Sequence, residues 1–143
     1  MNDRKRTFLI VAQLVIAVVL FLNLQAAVLF FVQPEAYMRG LGLEAAVGKP
    51  VVRGFGLLFL MWNIPYIFAL TNPLRHHISL IEAVIMQALA LGGETAILWL
   101  DGPFTEVVRM SIIRFIIFDG VGLALLTAAL LICARLNQIK RKV

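Results

Sequence analysis

The chain has 143 residues, is 62% hydrophobic, shows a mean hydropathy of +0.94 and carries a formal charge of +5. About half the residues of a soluble domain are apolar, so this composition excludes an ordinary soluble fold and implies an integral membrane protein of about four spans. The positive charge gathers at the chain ends and beside the apolar runs, which matches flanks facing lipid headgroups and excludes nucleic acid as the partner.

The first apolar run, Phe8 to Val32, follows MNDRKR and exceeds the roughly 7–15-residue core of a signal peptide. A retained first helix over about 7–32 is expected; cleavage near Leu24-Gln25-Ala26-Ala27 is the alternative and would leave three helices. Gln13, Asn23 and Gln25 are single polar positions in this run, expected to bond to other helices for about 0.6–2 kcal/mol each.

Gln33 to Val52 reads as a surface loop: Pro34 stops the first helix, and Gly40, Gly42 and Gly48 loosen the backbone. Within it, PEAYMR suits one interfacial turn with Tyr37 at headgroup depth. Lys49-Pro50 then opens a second helix over about 51–70. Its centre is Trp62-Asn63-Ile64-Pro65-Tyr66. Pro65 lacks an amide and frees the Met61 carbonyl, so a bend is predicted there. Trp62 and Tyr66 lie one turn apart on one face. Asn63 either bonds a neighbouring helix in a packed kink or lines a ligand cavity. Arg53, at the helix start, reads as an anchor that reaches headgroups.

Thr71 to His77, TNPLRHH, makes a tight basic turn in which His76 and His77 are solvated. Ser79-Leu80-Ile81-Glu82 has the S-x-x-E form of a capping box and opens a third helix over about 79–100. That helix, ISLIEAVIMQALALGGETAILWL, is long enough to cross a bilayer and still contains Glu94. An acidic side chain at such a place is a functional-site hypothesis by default. Gln87, Ala90 and Glu94 recur at helical spacing on one face, and Ala83 and Gly93 admit close approach of another helix. Trp99 suits an interface, and Asp101-Gly102-Pro103 turns the chain. A fourth helix over about 105–135 holds Arg114 and Asp119, with Gly120, Ala124 and Ala128 as a small-residue stripe for tight packing.

Four spans put Arg4, Lys5, Arg6, Arg75, Arg135, Lys140, Arg141 and Lys142 on one side, so both termini are expected in the cytoplasm. The expected fold is all-α: one transmembrane domain, 1–143, forming an antiparallel, left-handed four-helix transmembrane bundle. Arg53, Glu94, Arg114 and Asp119 share its outer half. Charges at bilayer depth are costly alone, so Glu94 is expected to pair with Arg114 first and Arg53 second. Two readings of this group stand. One is an ion-pair network that fixes helix register; the other is the polar end of an outward-facing cavity, with Trp62, Asn63, Tyr66 and Gln87 below it, that takes a quinone-like or lipid-like molecule.

No nucleophile, acid–base pair or cofactor site completes a recognisable reaction, so no catalytic residue is assigned. Cys133 is the only cysteine, which excludes an intrachain disulfide, a CxxC centre and a multi-cysteine metal site; with two histidines only, no metal and no cofactor is expected. The expectation is a non-enzymatic accessory subunit or binder of a small lipophile. A small proton-linked carrier acting as an oligomer is the alternative, and a membrane enzyme using Glu94 and Asp119 the third. Partners would be the lipid bilayer, a small lipophilic ligand, and a second copy or larger membrane complex.

RGFGLLFL at the start of the second helix, in a four-span chain with an outer first loop and basic ends, resembles the small bacterial DoxX-like membrane proteins and neighbouring four-helix families. The resemblance implies a four-helix bundle in a bacterial inner membrane, sometimes accessory to redox or quinone-linked systems, and carries over no catalytic residue.

Overall fold

A computed structural model describes residues 3–141, all of whose regular elements are helices. Lys142 of the basic tail lies outside the described residues. The elements are α1 (Asp3–Val32), α2 (Pro34–Met38), a 3-10 turn (Arg39–Leu41), α3 (Ala45–Trp62), α4 (Ile64–Thr71), α5 (His77–Leu100) and α6 (Glu106–Arg141). Four stretches, Asp3–Val32, Ala46–Thr71, His77–Leu100 and Glu106–Gln138, are long and apolar enough to cross a membrane. Many of their large apolar side chains are exposed, among them Leu14, Phe21, Leu89 and Leu131. A soluble monomer rarely tolerates so much apolar surface, and the four helices together suggest a membrane protein.

Two connections differ from the sequence reading. The expected loop over 33–52 is largely helical, and α3 begins at Ala45 with Pro50 inside it. Proline there costs only the bond to the Ala46 carbonyl, in the outermost turns of an exposed helix end, so the helix runs through it. One residue does make this connection a true turn: Gly42 has φ +67, the left-handed geometry that favours glycine, and closes the 3-10 turn by donating to the Arg39 carbonyl. The second difference is the start of α5. The helix opens at His77 with His76 as its cap residue and no side-chain cap bond, so Ser79 and Glu82 lie within the helix and the expected capping box does not form. The turn before it is held instead by Asn72, whose Oδ1 accepts from the Arg75 amide at 3.1 Å.

Packing pairs α5 with α6, and α1 with both α3 and α6. The α1–α3 contact is close because Gly56 is buried in it: a Cβ there would lie 2.8 Å from the Ala27 carbonyl oxygen. The larger core cluster combines Ala12, Ile16 and Val19 of α1, Tyr66 and Ala69 of α4, Leu80 and Ala83 of α5, and Leu126, Ala129 and Cys133 of α6. A smaller cluster of Phe30, Met38 and Val52, with Tyr37, Phe59 and Phe115 against it, closes the end that carries the α1–α3 connection. Phe30 is its hub, with Tyr37 edge-on at 4.6 Å and Phe59 at 5.7 Å.

The buried line of α6 runs through Asp119, Gly122, Leu126, Ala129 and Cys133. The predicted stripe of Gly120, Ala124 and Ala128 is displaced from it: Ala124 and Ala128 are exposed, and Gly120 meets only Leu91. Gly93 of α5 likewise has nothing within 4 Å, whereas Ala83 is fully buried. Small residues recur on more than one face of each helix, and the large residues between them decide which face turns inward.

Candidate functional site

The site begins at the interruption of the second long helix. α3 ends at Trp62, α4 starts at Ile64, and fully buried Asn63 sits between them, because Pro65 has no amide to continue the hydrogen-bond ladder. Asn63 does not bond to a neighbouring helix. Its Nδ2 folds back and donates to the Phe59 carbonyl at 2.6 Å, while Oδ1 is buried without a partner. The interruption divides the packing: α3 leans on α1, and α4 packs against α5.

Between α3 and α5, toward the α1–α3 connection, lies a cavity of about 430 Å³. This is within the range of small-ligand sites. Its walls are aromatic, with Phe30, Phe55, Phe59, Phe104 and Phe115, and its polar side chains are Glu94 and Ser111. Phe55 of α3 and Ile97 of α5, which line it, are both exposed.

Beneath the cavity a chain of polar side chains crosses the interior. The Tyr66 hydroxyl donates to Gln87 Oε1 at 2.7 Å and lies 3.3 Å from the Ala83 carbonyl. Trp62 and Asn23 also lie near that hydroxyl. Gln87 Nε2 donates to Asp119 Oδ1, and the Asp119 carboxyl lies within hydrogen-bonding reach of Glu94. Gln87 is thus fixed at both ends, with its oxygen accepting from Tyr66 and its nitrogen donating to Asp119. Gly122 makes room for it: a Cβ at that position would meet Gln87 Nε2 at 2.7 Å. The order from core to cavity is Tyr66, Gln87, Asp119, Glu94.

The expected pairing of Glu94 with arginine is corrected. Among the described residues neither Glu94 nor Asp119 forms an ion pair; the pairs present are Lys49 with Glu35 and Arg109 with Glu106, both on the surface. Arg114 is exposed, for a geometric reason: five residues from Asp119 is about 140° around the helix, so burying Asp119 turns Arg114 outward. Exposed Arg53 donates through Nε to the Phe31 carbonyl at 3.3 Å, at the end of α1. The four charged positions therefore separate into an inner acidic pair and two outer arginines. Glu94 Oε2 is buried with no hydrogen-bond partner.

Of the polar positions in α1, Gln13 makes an interhelical bond, from Nε2 to the Leu70 carbonyl at 3.1 Å, and Asn23 faces Tyr66; Gln25 is exposed. The site also uses residues that the sequence reading passed over. Ser111, Ile112 and Phe115 of α6 line the cavity at the three- and four-residue spacing that continues to Asp119 and Gly122. That spacing is visible in the sequence once Asp119 is taken as facing inward.

Compared with known protein families, curated proteins and solved structures, the chain matches no family model, no curated protein and no solved structure.

Proposed function

We propose that this chain is an integral membrane protein, an antiparallel four-helix bundle with both termini in the cytoplasm of a bacterium, that binds a small lipophilic molecule without transforming it. The observation that carries this reading is the aromatic cavity with Glu94 in its wall. A few placed polar groups in a mainly apolar pocket are the usual composition of a small-molecule site. The exposure of Phe55 and Ile97, both in the cavity lining, supports recruitment from the lipid phase. The layout shared with DoxX-like proteins supports an accessory role, as a second copy's partner or within a larger membrane complex.

The test is mass spectrometry of small molecules that co-purify with the protein in mild detergent. A stoichiometric lipophile, lost on filling the cavity by Ser111→Phe, is expected; its absence from the wild-type protein refutes the binding role. Topology is tested in a Cys133→Ser background with an impermeant thiol reagent on intact cells. Ala46→Cys should label and Arg75→Cys should be shielded, and the reverse pattern refutes the orientation. The alternative of a proton-linked carrier draws support from the juxtaposed Glu94 and Asp119, since carboxyl groups in a membrane interior are typical of proton relays. Proton flux into liposomes, abolished by Asp119→Asn, would favour it over simple binding.

A further inference from the structure

Resting on the reading of the cavity as a ligand site, we propose that its occupant is a lipophilic monocation: a protonated or quaternary amine attached to an apolar body. Three features of the cavity select this class. The first is charge. Glu94 and Asp119 approach within hydrogen-bonding reach, and neither has a cationic partner among the described residues. Two carboxylates so placed in apolar surroundings repel each other, and only a proton or another cation relieves the repulsion. The arginines that might have served, Arg53 and Arg114, are on the outside. A cation held in the cavity beside Glu94 relieves that repulsion.

The second feature is the walls. Phe30, Phe55, Phe59, Phe104 and Phe115 give aromatic surface to the cavity that Glu94 lines. Aromatic enclosures recognise ammonium groups through the negative faces of the rings, most strongly where water is excluded. The third feature is the scarcity of other polar groups. A hard divalent cation such as calcium needs about six to eight oxygen ligands, and the oxygen-bearing side chains in the cavity lining are Glu94 and Ser111. An anion would face the acidic pair directly. A neutral lipid chain would fill the space without countering the charge of the acidic pair, and a quinol would add a donor without countering it either. An organic cation with an apolar body satisfies the charge, the rings and the volume together.

The test compares two ligands on the purified full-length protein in non-ionic detergent. One is 4-phenylbutyl-trimethylammonium; the other is its neutral carbon isostere, with tert-butyl in place of the trimethylammonium group. Affinities are measured by equilibrium dialysis and corrected for micelle partition. The wild-type protein is expected to prefer the cation by about tenfold or more, which corresponds to about 1.4 kcal/mol. Glu94→Gln with Asp119→Asn should bring the ratio close to one, by weakening the cation more than the neutral compound. Glu94→Gln alone should move the ratio in the same direction, and serves if the double variant does not fold. Equal binding of the two compounds, tighter binding of the neutral one or of decylubiquinol, or a cation preference that survives in the variants overturns the cation class and leaves a binder of neutral lipophiles. If none of the three compounds binds, the cavity is not a ligand site and both readings fall.

Discussion

Gly122→Ala adds one methyl group at the point where the polar chain is tightest. The new Cβ would lie 2.7 Å from Gln87 Nε2 and 3.0 Å from its Cδ, closer than side chains pack. Gln87 has little freedom to withdraw, because its oxygen accepts from Tyr66 and its nitrogen donates to Asp119. Overpacking of this kind costs about 1–3 kcal/mol, and each hydrogen bond lost as Gln87 moves removes about 1 kcal/mol more. Alanine returns roughly 0.5–1 kcal/mol as the better helix former. The net expectation is a loss of about 2 kcal/mol. Gly93→Ala is the matched control: nothing lies within 4 Å of its would-be Cβ, so only the propensity gain of roughly 0.5–1 kcal/mol applies. Both are measured by thermal unfolding of the purified protein in mild detergent. Gly122→Ala in a Gln87→Ala background completes the cycle and should show a coupling of at least about 1 kcal/mol, because removing the amide removes the clash. If Gly122→Ala is as stable as Gly93→Ala, Gln87 does not pass over Gly122 and the order of the polar chain is wrong.

Three other outcomes are expected. Tyr66→Phe removes the donor to Gln87 Oε1 and should cost about 1–2 kcal/mol in the same unfolding assay; an unchanged stability would mean that the hydroxyl is not part of the chain. Glu94→Gln should leave stability unchanged or raise it, since its amide can donate to Asp119, whereas a loss of about 3–5 kcal/mol would betray a broken buried ion pair. At the surface, the Lys49 ammonium 2.7 Å from Glu35 holds that carboxyl below its ordinary range, chiefly by hydrogen bonding. A lowered folded-state value means that the contribution is present above the unfolded value and is lost as pH falls through the folded one. In an NMR titration Lys49→Met should move the Glu35 midpoint upward, and an unmoved midpoint would dissociate the pair.

The features legible in the sequence are those set by local chemistry. Four apolar runs of sufficient length are read directly, and Pro65 predicts the interruption because a missing amide breaks a helix wherever it falls. Glu94, Gln87 and Asp119 stand out as polar residues in apolar runs. The sequence could not supply rotation. Pairing Glu94 with Arg114 rested on similar depth, but depth along an axis does not say which way a side chain faces, and burying Asp119 excludes Arg114 from the same interior. The same ambiguity put the packing stripe on Gly120 and Ala124 instead of Gly122. At Lys49-Pro50 the difference is of another kind: proline suits a helix start, but in an exposed end it is tolerated inside the helix that begins at Ala45.

The interruption at Asn63 gives one helix two allegiances. Residues before it pack on α1, and residues after it turn to α5 while keeping a smaller contact with α1, so the chain reads as two short rods sharing a joint. Phe55 and Phe59 belong to the first rod and shape the cavity wall; Tyr66 belongs to the second and anchors the core. Exchanging the first pair for smaller or larger side chains would therefore resize the chamber without disturbing the anchor. A protein built this way can change what it accepts by altering a few positions on one rod, while the other keeps the assembly upright.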